Sequence, residues 1–185
     1  MKSGVNISID SNVIFKGKVI IGDNVTIESN VIIKNTKIEN NVTIKSMSIV
    51  ENACIKKYTS IGPFVRIRPN SIIGSYNKIG NFTEIKNTIF GYKNKVNHMS
   101  YLGDSYFKKY INIGAGLTIC NYDGVNKYIT KIDDNCFIGA KNALVSPINI
   151  KKKTRTGASS IIWKDIVNGN IIINKKYICN IKKEL

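Results

Sequence analysis

The sequence predicts an all-β solenoid, a three-sided prism of short parallel strands, and three observations predict it. Aliphatic residues recur at every sixth position in long registers: Ile9, Phe15, Ile21, Ile27 and Ile33; then Ile55, Ile61, Ile67, Ile73, Ile79 and Ile85; then Ile132, Ile138, Leu144, Ile150, Thr156 and Ile162. A helix repeats near 3.6 and a lone amphipathic strand at 2, so neither accounts for this beat. A second set of small or β-branched residues follows four positions on, at Val13, Val19, Val25 and Val31, and again at Val65, Ser71 and Thr83. Glycines follow the beat at Ile61-Gly62, Ile79-Gly80, Ile113-Gly114 and Ile138-Gly139, where a chain that turns after each strand needs corners. Self-similarity at a fixed period marks stacked-repeat architectures.

Taken in chain order, each hexad reads as one strand and one corner. Three hexads close an 18-residue coil, and coils stack at roughly 4.8 Å. The first register builds the N-terminal coils and the second the central ones. The beat then fails from about 97 to 110, where NHMSYLGDSYFKKY is predicted to be an extruded loop. Ile119 and Ile132 are 13 apart, which predicts a shorter insertion near 120–128, through Asn121-Tyr122-Asp123-Gly124. The third register completes a β-helix domain over 1–165. After Trp163 the beat is lost, and 166–185 is expected to be a C-terminal tail or cap. A solenoid contacts only its neighbouring coils and has few internal cavities, so function must come from interruptions or from interfaces between chains.

Composition bounds the partners. The 185 residues suit one domain. Lys and Arg total 28 against 12 Asp and Glu, a net charge of +16, which raises nucleic acid, membrane surfaces and anionic small molecules. Only 3 of those cations are Arg, and 35 Ile, 25 Lys and 24 Asn dominate the chain. These three residue types share AT-rich codons, so nucleotide composition accounts for most of the charge. Aromatic residues are not interleaved in a basic patch, and nucleic acid is not expected as a partner. No run approaches the ~18 apolar residues of a membrane span, and the N-terminus has no signal-peptide pattern. Cys54, Cys120, Cys136 and Cys179 are widely spaced and accompanied by one histidine, so no metal site or disulfide framework is indicated. The expected setting is cytoplasmic, with the cysteines as small buried hydrophobes.

An 18-residue coil stacks Arg68 on Lys86, each following a buried Ile. Two like charges at one edge are unfavourable unless they splay into solvent or an anion such as a phosphate sits between them. The X-Gly-Ala pattern at 113–115, 138–140 and 156–158 stacks Ala115, Ala140 and Ala158 on one edge, which is either tight corner packing or a shallow groove for an extended ligand such as a pantetheine arm. His98, the sole histidine, has the chemistry of a general base near neutrality, or a bland surface role. Hexapeptide-fold carbonic anhydrases need three histidines and are excluded.

The blocks Gly62-Pro63-Phe64-Val65-Arg66-Ile67-Arg68-Pro69, Gly80-Asn81-Phe82-Thr83-Glu84-Ile85-Lys86, Asn97-His98-Met99-Ser100-Tyr101-Leu102-Gly103-Asp104 and Asn112-Ile113-Gly114-Ala115-Gly116, with Cys120-Asn121-Tyr122-Asp123-Gly124 and Asn126-Lys127, resemble the C-terminal domain of the bifunctional N-acetylglucosamine-1-phosphate uridyltransferase/glucosamine-1-phosphate acetyltransferase family. The resemblance implies the left hand of the β-helix, which periodicity cannot give. It also implies acetyl transfer from acetyl-CoA to the 2-amino group of glucosamine 1-phosphate, for UDP-N-acetylglucosamine synthesis, in a homotrimer with active sites between subunits. By position it makes His98 the general base, Arg68, Lys86, Tyr101 and Asn112 the sugar-phosphate site, and Ala115, Asn121, Tyr122, Ala140, Ala158 and Lys175 the acetyl-CoA site. Lys127 becomes a further phosphate contact across the trimer interface, and no metal is implied for the acetyl transfer. The family commonly has Ser at the Ala140 position and Arg at the Lys175 position. The nucleotide loop of a uridyltransferase half is missing, so either a separate protein performs that step or the chain is a fragment. Two other readings stay open: a hexapeptide acyltransferase for another amino sugar or nucleotide sugar, and a non-catalytic β-helix scaffold.

Overall fold

The computed structural model describes residues 2–167 and the strand Ile171–Ile172. Among the described residues there is no helix, and every pair between strands is parallel. Likewise, no helix is long and apolar enough to cross a membrane. The strands wind as a prism with three faces. Face 1 is a ten-stranded sheet running from Ser8–Ile9 through Lys78–Ile79, Lys95–Val96 and Asn112–Ile113 to Ile171–Ile172. Face 2 carries Arg66–Ile67, Thr118–Cys120 and Ala143–Val145, and face 3 carries Ser71–Ile73, Thr130–Ile132 and Ile148–Ile150. Faces 2 and 3 merge into one 16-stranded sheet because Thr83–Tyr92 and Ser100–Lys109 continue through the corner between them.

The six-residue beat has an exception that the sequence reading missed. Coils are 18 residues where Lys2 pairs with Ile20, and 17 where Ile20 pairs with Lys37 or Tyr101 with Thr118. The missing residue falls at the corner between faces 2 and 3, where the inward column steps by five: Ile33 to Ile38, Val50 to Ile55, Ile85 to Phe90, Leu102 to Phe107. All eight are fully buried, and the Phe90 and Phe107 rings pack at a tilt with centroids 4.9 Å apart.

This corrects the prediction of an extruded loop over 97–110. Residues 100–109 are a strand paired with Thr83–Tyr92 along most of its length. Residues 102–105 and Phe107 are buried, and Tyr106 is exposed. The insertion near 120–128 does leave the prism. Thr118 pairs with Ala143, 25 residues on, and the extra residues form a loop closed by an antiparallel bridge between Tyr122 and Lys127. Pairing also runs past 165, since Ile166 pairs with Ile150 and Ile171–Ile172 with Arg155–Thr156. The rest of the expected tail, including Lys175, lies outside the described residues.

Most corners turn through left-handed backbone, and this explains much of the asparagine content. At the corner between faces 2 and 3, Asn35, Asn52, Asn70, Asn87 and Asp104 have φ between 45° and 63°. The face 3 to face 1 corner uses Asn6, Asn24, Asn41 and then Tyr58, Tyr76 and Tyr110. Asn tolerates this region best among residues with a Cβ, because its short side chain bonds locally. Asn35 donates to the Asn52 side-chain oxygen at 3.1 Å and Asn87 to Asp104 at 2.6 Å, so the stacked corner residues form a ladder bonded side chain to side chain at these two rungs. Inside the prism, Asn77 and Asn94 satisfy backbone groups where strands end: the Asn77 amide donates to the carbonyls of Gly74 and Gly91, both at 2.7 Å.

Candidate active site

His98 stands at the corner between faces 1 and 2. The register that pairs Val96 with Ile113 puts it one coil above Ala115, and the Gly116 amide donates to the Met99 carbonyl at 2.6 Å. The same corner continues to Ala140 and Ala158, since the Lys141 amide donates to the Ala115 carbonyl at 2.7 Å and the Ser159 amide to the Ala140 carbonyl at 2.8 Å. The exposed histidine therefore heads the small-residue column. Sequence reading separated the two, because an extruded loop beginning at Asn97 took His98 out of register. The Ser100 hydroxyl donates to the His98 carbonyl at 3.0 Å and fixes the turn.

The glycines of the X-Gly-Ala pattern explain why the column is tight. A Cβ on Gly139 would lie 2.6 Å from the Gly157 carbonyl, and one on Gly114 would lie 2.5 Å from the Ala140 nitrogen. The coils meet backbone to backbone, and only methyl groups project.

Face 2 leads away from His98. An open hollow of about 320 Å³ is lined by Phe82, Glu84, Met99, Tyr101 and Thr118 among others. Tyr101 lies across the face with its ring over Gly103, where a Cβ would fall 2.6 Å from the phenol oxygen. At the far edge a second hollow of about 320 Å³ holds Arg68, Lys86 and Lys127 together with Asn70, Asn87 and Asp104. Lys127 thus lies beside Arg68 and Lys86 of its own chain.

The stack of Arg68 on Lys86 is present, since Ile67 pairs with Ile85, but each cation has an anionic partner. Arg68 donates to Glu84 at 2.8 Å, and Lys86 donates to Asp104 at 3.2 Å. The Glu84 bond raises the already high pKa of the guanidinium. Burial works to raise the Asp104 carboxyl, yet hydrogen bonds from Asn87, Asn121 and Lys86 outweigh it and hold the group below the usual carboxylate range. Three cations against two carboxylates leave this edge one charge positive.

Other candidates are dispersed. Asn112 lies on face 1, around the corner from Tyr101. Asn121 is buried at the face 2 to face 3 corner, bonded to Asp104, and Tyr122 is exposed on the adjoining loop with its hydroxyl donating to the Gly124 carbonyl. Neither is on the alanine corner of the same chain. Glu84 was missed by sequence reasoning; its signal is its place opposite Arg66 and one coil from Tyr101. Among the described residues no cluster of His, Cys, Asp and Glu suits a metal. Cys136 is buried, which pushes its thiol pKa up, but Cys54 and Cys120 are half-buried, so burial as small hydrophobes holds only for Cys136 among the described cysteines.

A parallel three-faced prism of hexad coils, carrying its polar site on the outer edges, has the architecture of the left-handed β-helix class. Solved structures share this fold: a GDP-perosamine N-acetyltransferase from Caulobacter crescentus, in complex with CoA and GDP-perosamine, at TM-score 0.57 and 14% identity over 64% of this chain and 54% of that one, and a UDP-N-acetylglucosamine acyltransferase from Campylobacter jejuni at TM-score 0.55 and 18% identity over 89% and 70%. Within that class, the family described as the GMPPB C-terminal domain matches residues 3–101, more than half of the chain, and the chain belongs to it. It is also 36% identical over 176 residues to the bifunctional protein GlmU of Burkholderia multivorans, covering 95% of this chain and 39% of that protein. Identity is 44% over 172 residues to the bifunctional protein GlmU of Ruthia magnifica, covering 93% and 38%. The chain thus spans about two fifths of the length of these relatives, and the resemblance read from the motif blocks is to the same bifunctional protein.

Proposed function

We propose that the chain is a glucosamine-1-phosphate N-acetyltransferase, taking acetyl from acetyl-CoA for UDP-N-acetylglucosamine synthesis. The observation that carries the reading is the register of His98 with Ala115, Ala140 and Ala158, with the Arg68, Lys86 and Lys127 edge across face 2. A phosphate at that edge and a 2-amino group at His98 put the sugar over Tyr101. The column of methyl groups beside close-packed backbone suits a thin pantetheine arm whose amides bond to main chain.

In the reaction His98 takes a proton from the sugar ammonium. The freed amine attacks the acyl carbon, the nitrogen of the tetrahedral adduct gives its second proton to solvent, the carbon–sulfur bond breaks, and CoA leaves as the thiol with the proton that His98 held. Arg68, Lys86 and Lys127 neutralise the phosphate, and Tyr101 bonds the sugar. Division of the remaining candidates supports a homotrimer: Asn112 on face 1, and Asn121 and Tyr122 at the face 2 to face 3 corner, serve sites completed by a neighbouring copy. The uridylyl step belongs to another domain or protein, and the supply of acetyl-CoA suits a cytoplasmic setting.

Thiol release from acetyl-CoA with a panel of amino sugars tests this. Glucosamine 1-phosphate is expected to be the preferred acceptor, and His98→Ala is expected to lose about 10²- to 10⁴-fold in kcat. Unchanged activity in that variant sinks the assigned base. Preference for unphosphorylated glucosamine or for a nucleotide sugar sinks the phosphate edge.

A further inference from the structure

The ladder at the corner between faces 2 and 3 is built of asparagines, Asn35, Asn52, Asn70 and Asn87, and changes to aspartate at Asp104. An asparagine there would supply the same left-handed backbone. A carboxylate in this 5% exposed position instead carries a desolvation cost. What it adds is a second acceptor oxygen and a negative charge, and both are used. Oδ1 accepts from the Asn87 amide at 2.6 Å, and Oδ2 accepts from the Lys86 ammonium at 3.2 Å and from the Asn121 amide.

These partners come from two different parts of the candidate site. Lys86 is a cation of the phosphate edge. Asn121 is the root of the inserted loop, whose far side returns through the Tyr128 amide donating to the Asn121 carbonyl at 2.8 Å. Between them the loop delivers Lys127 into the hollow with Arg68 and Lys86. We infer that Asp104 is a positioning residue for anion recognition: it aims Lys86 directly and fixes the root of the loop that presents Lys127, so one buried carboxylate sets the spacing of two of the three cations. It touches no reacting atom. The inference rests on the proposed reading of this edge as the phosphate site.

The test is Asp104→Asn, which the corner accommodates by the precedent of its own ladder. The readout is the ratio of kcat/KM for glucosamine 1-phosphate to that for unphosphorylated glucosamine. The ratio is expected to fall about tenfold or more, through KM for the phosphorylated sugar, with a distinctly smaller change in kcat/KM for glucosamine. In a Lys86→Met background the same substitution is expected to lower the ratio only by the share that acts through Lys127. A parallel loss with both sugars, or an unchanged ratio, overturns the inference. A second measurement is independent of activity: trypsin cleavage after Lys127, followed by mass spectrometry, is expected to be several-fold faster in Asp104→Asn. Equal cleavage rates overturn the clamp on the loop. If the wild type shows no preference for the phosphorylated sugar, the functional reading fails, and the cleavage rates alone decide whether Asp104 holds the loop.

Discussion

Replacing Gly139 by alanine probes the close stacking on which the proposed donor column depends. The added Cβ would lie 2.6 Å from the carbonyl carbon and oxygen of Gly157 and 2.6 Å from the Thr156 oxygen, where ordinary contact begins at 3.4 Å. The coils must therefore separate by about 0.8 Å at this corner, against backbone rather than a mobile side chain. Little give is available. The buried Asn142 amide donates to the Gly139 carbonyl at 2.6 Å and to the Gly157 carbonyl at 3.0 Å, while its oxygen accepts from the Ser160 amide at 2.9 Å. Overpacking of this kind costs about 1–3 kcal/mol. For a chain of this size that corresponds to a fall in Tm of roughly 2–12 °C. Thermal unfolding followed by far-ultraviolet circular dichroism measures it, with Ala158→Leu as comparison. Ala158 is exposed, so a leucine there is expected to leave Tm within about 2 °C and to raise KM for acetyl-CoA by filling the column. A Gly139→Ala protein that melts within about 1 °C of wild type would refute the reasoning, because it would mean that the coils are free to part.

Phe107→Ala tests whether the segment after His98 is a coil. Phe107 is 2% exposed and packs on Phe90, so urea unfolding is expected to show a loss of about 3–5 kcal/mol, against under about 0.5 kcal/mol for an extruded loop. Acid stability tests Asp104. Its carboxyl is held below the usual range, so its contribution is present above the unfolded value near 3.9 and is lost as pH falls through the lower folded value. Unfolding free energies should therefore drop more steeply with acid, below about pH 4, in wild type than in Asp104→Asn; parallel curves would remove the electrostatic role. Thiol titration tests the cysteines: Cys136, buried and with its pKa raised, is expected to react with an aromatic disulfide only on unfolding, while the half-buried Cys54 and Cys120 react in the native protein.

The repeat made the prism legible because inward side chains must alternate with corners, and a register such as Ile55 to Ile85 leaves no other geometry. It also placed Arg68 above Lys86, since both lie in an 18-residue coil. The same rule failed at Ile85 to Phe90 and Leu102 to Phe107, where a corner one residue short looks in sequence like the end of the repeat. That error hid the register of His98 with Ala115. Asn121 and Tyr122, which the family resemblance groups with the alanines, sit on another corner of the same chain, a separation that the resemblance alone does not reveal.

By itself, then, the sequence determined the parallel β-prism, the stacked cations and the alanine column, since these depend only on the period at which side chains return to one face. The tertiary structure decided the five-residue corners, the place of His98 above Ala115, and the pairing of Arg68 with Glu84 and of Lys86 with Asp104. It also decided the union of Lys127 with those cations. These depend on where backbone omits a residue and where a carboxylate is buried, which are properties of closure in three dimensions that periodicity does not encode.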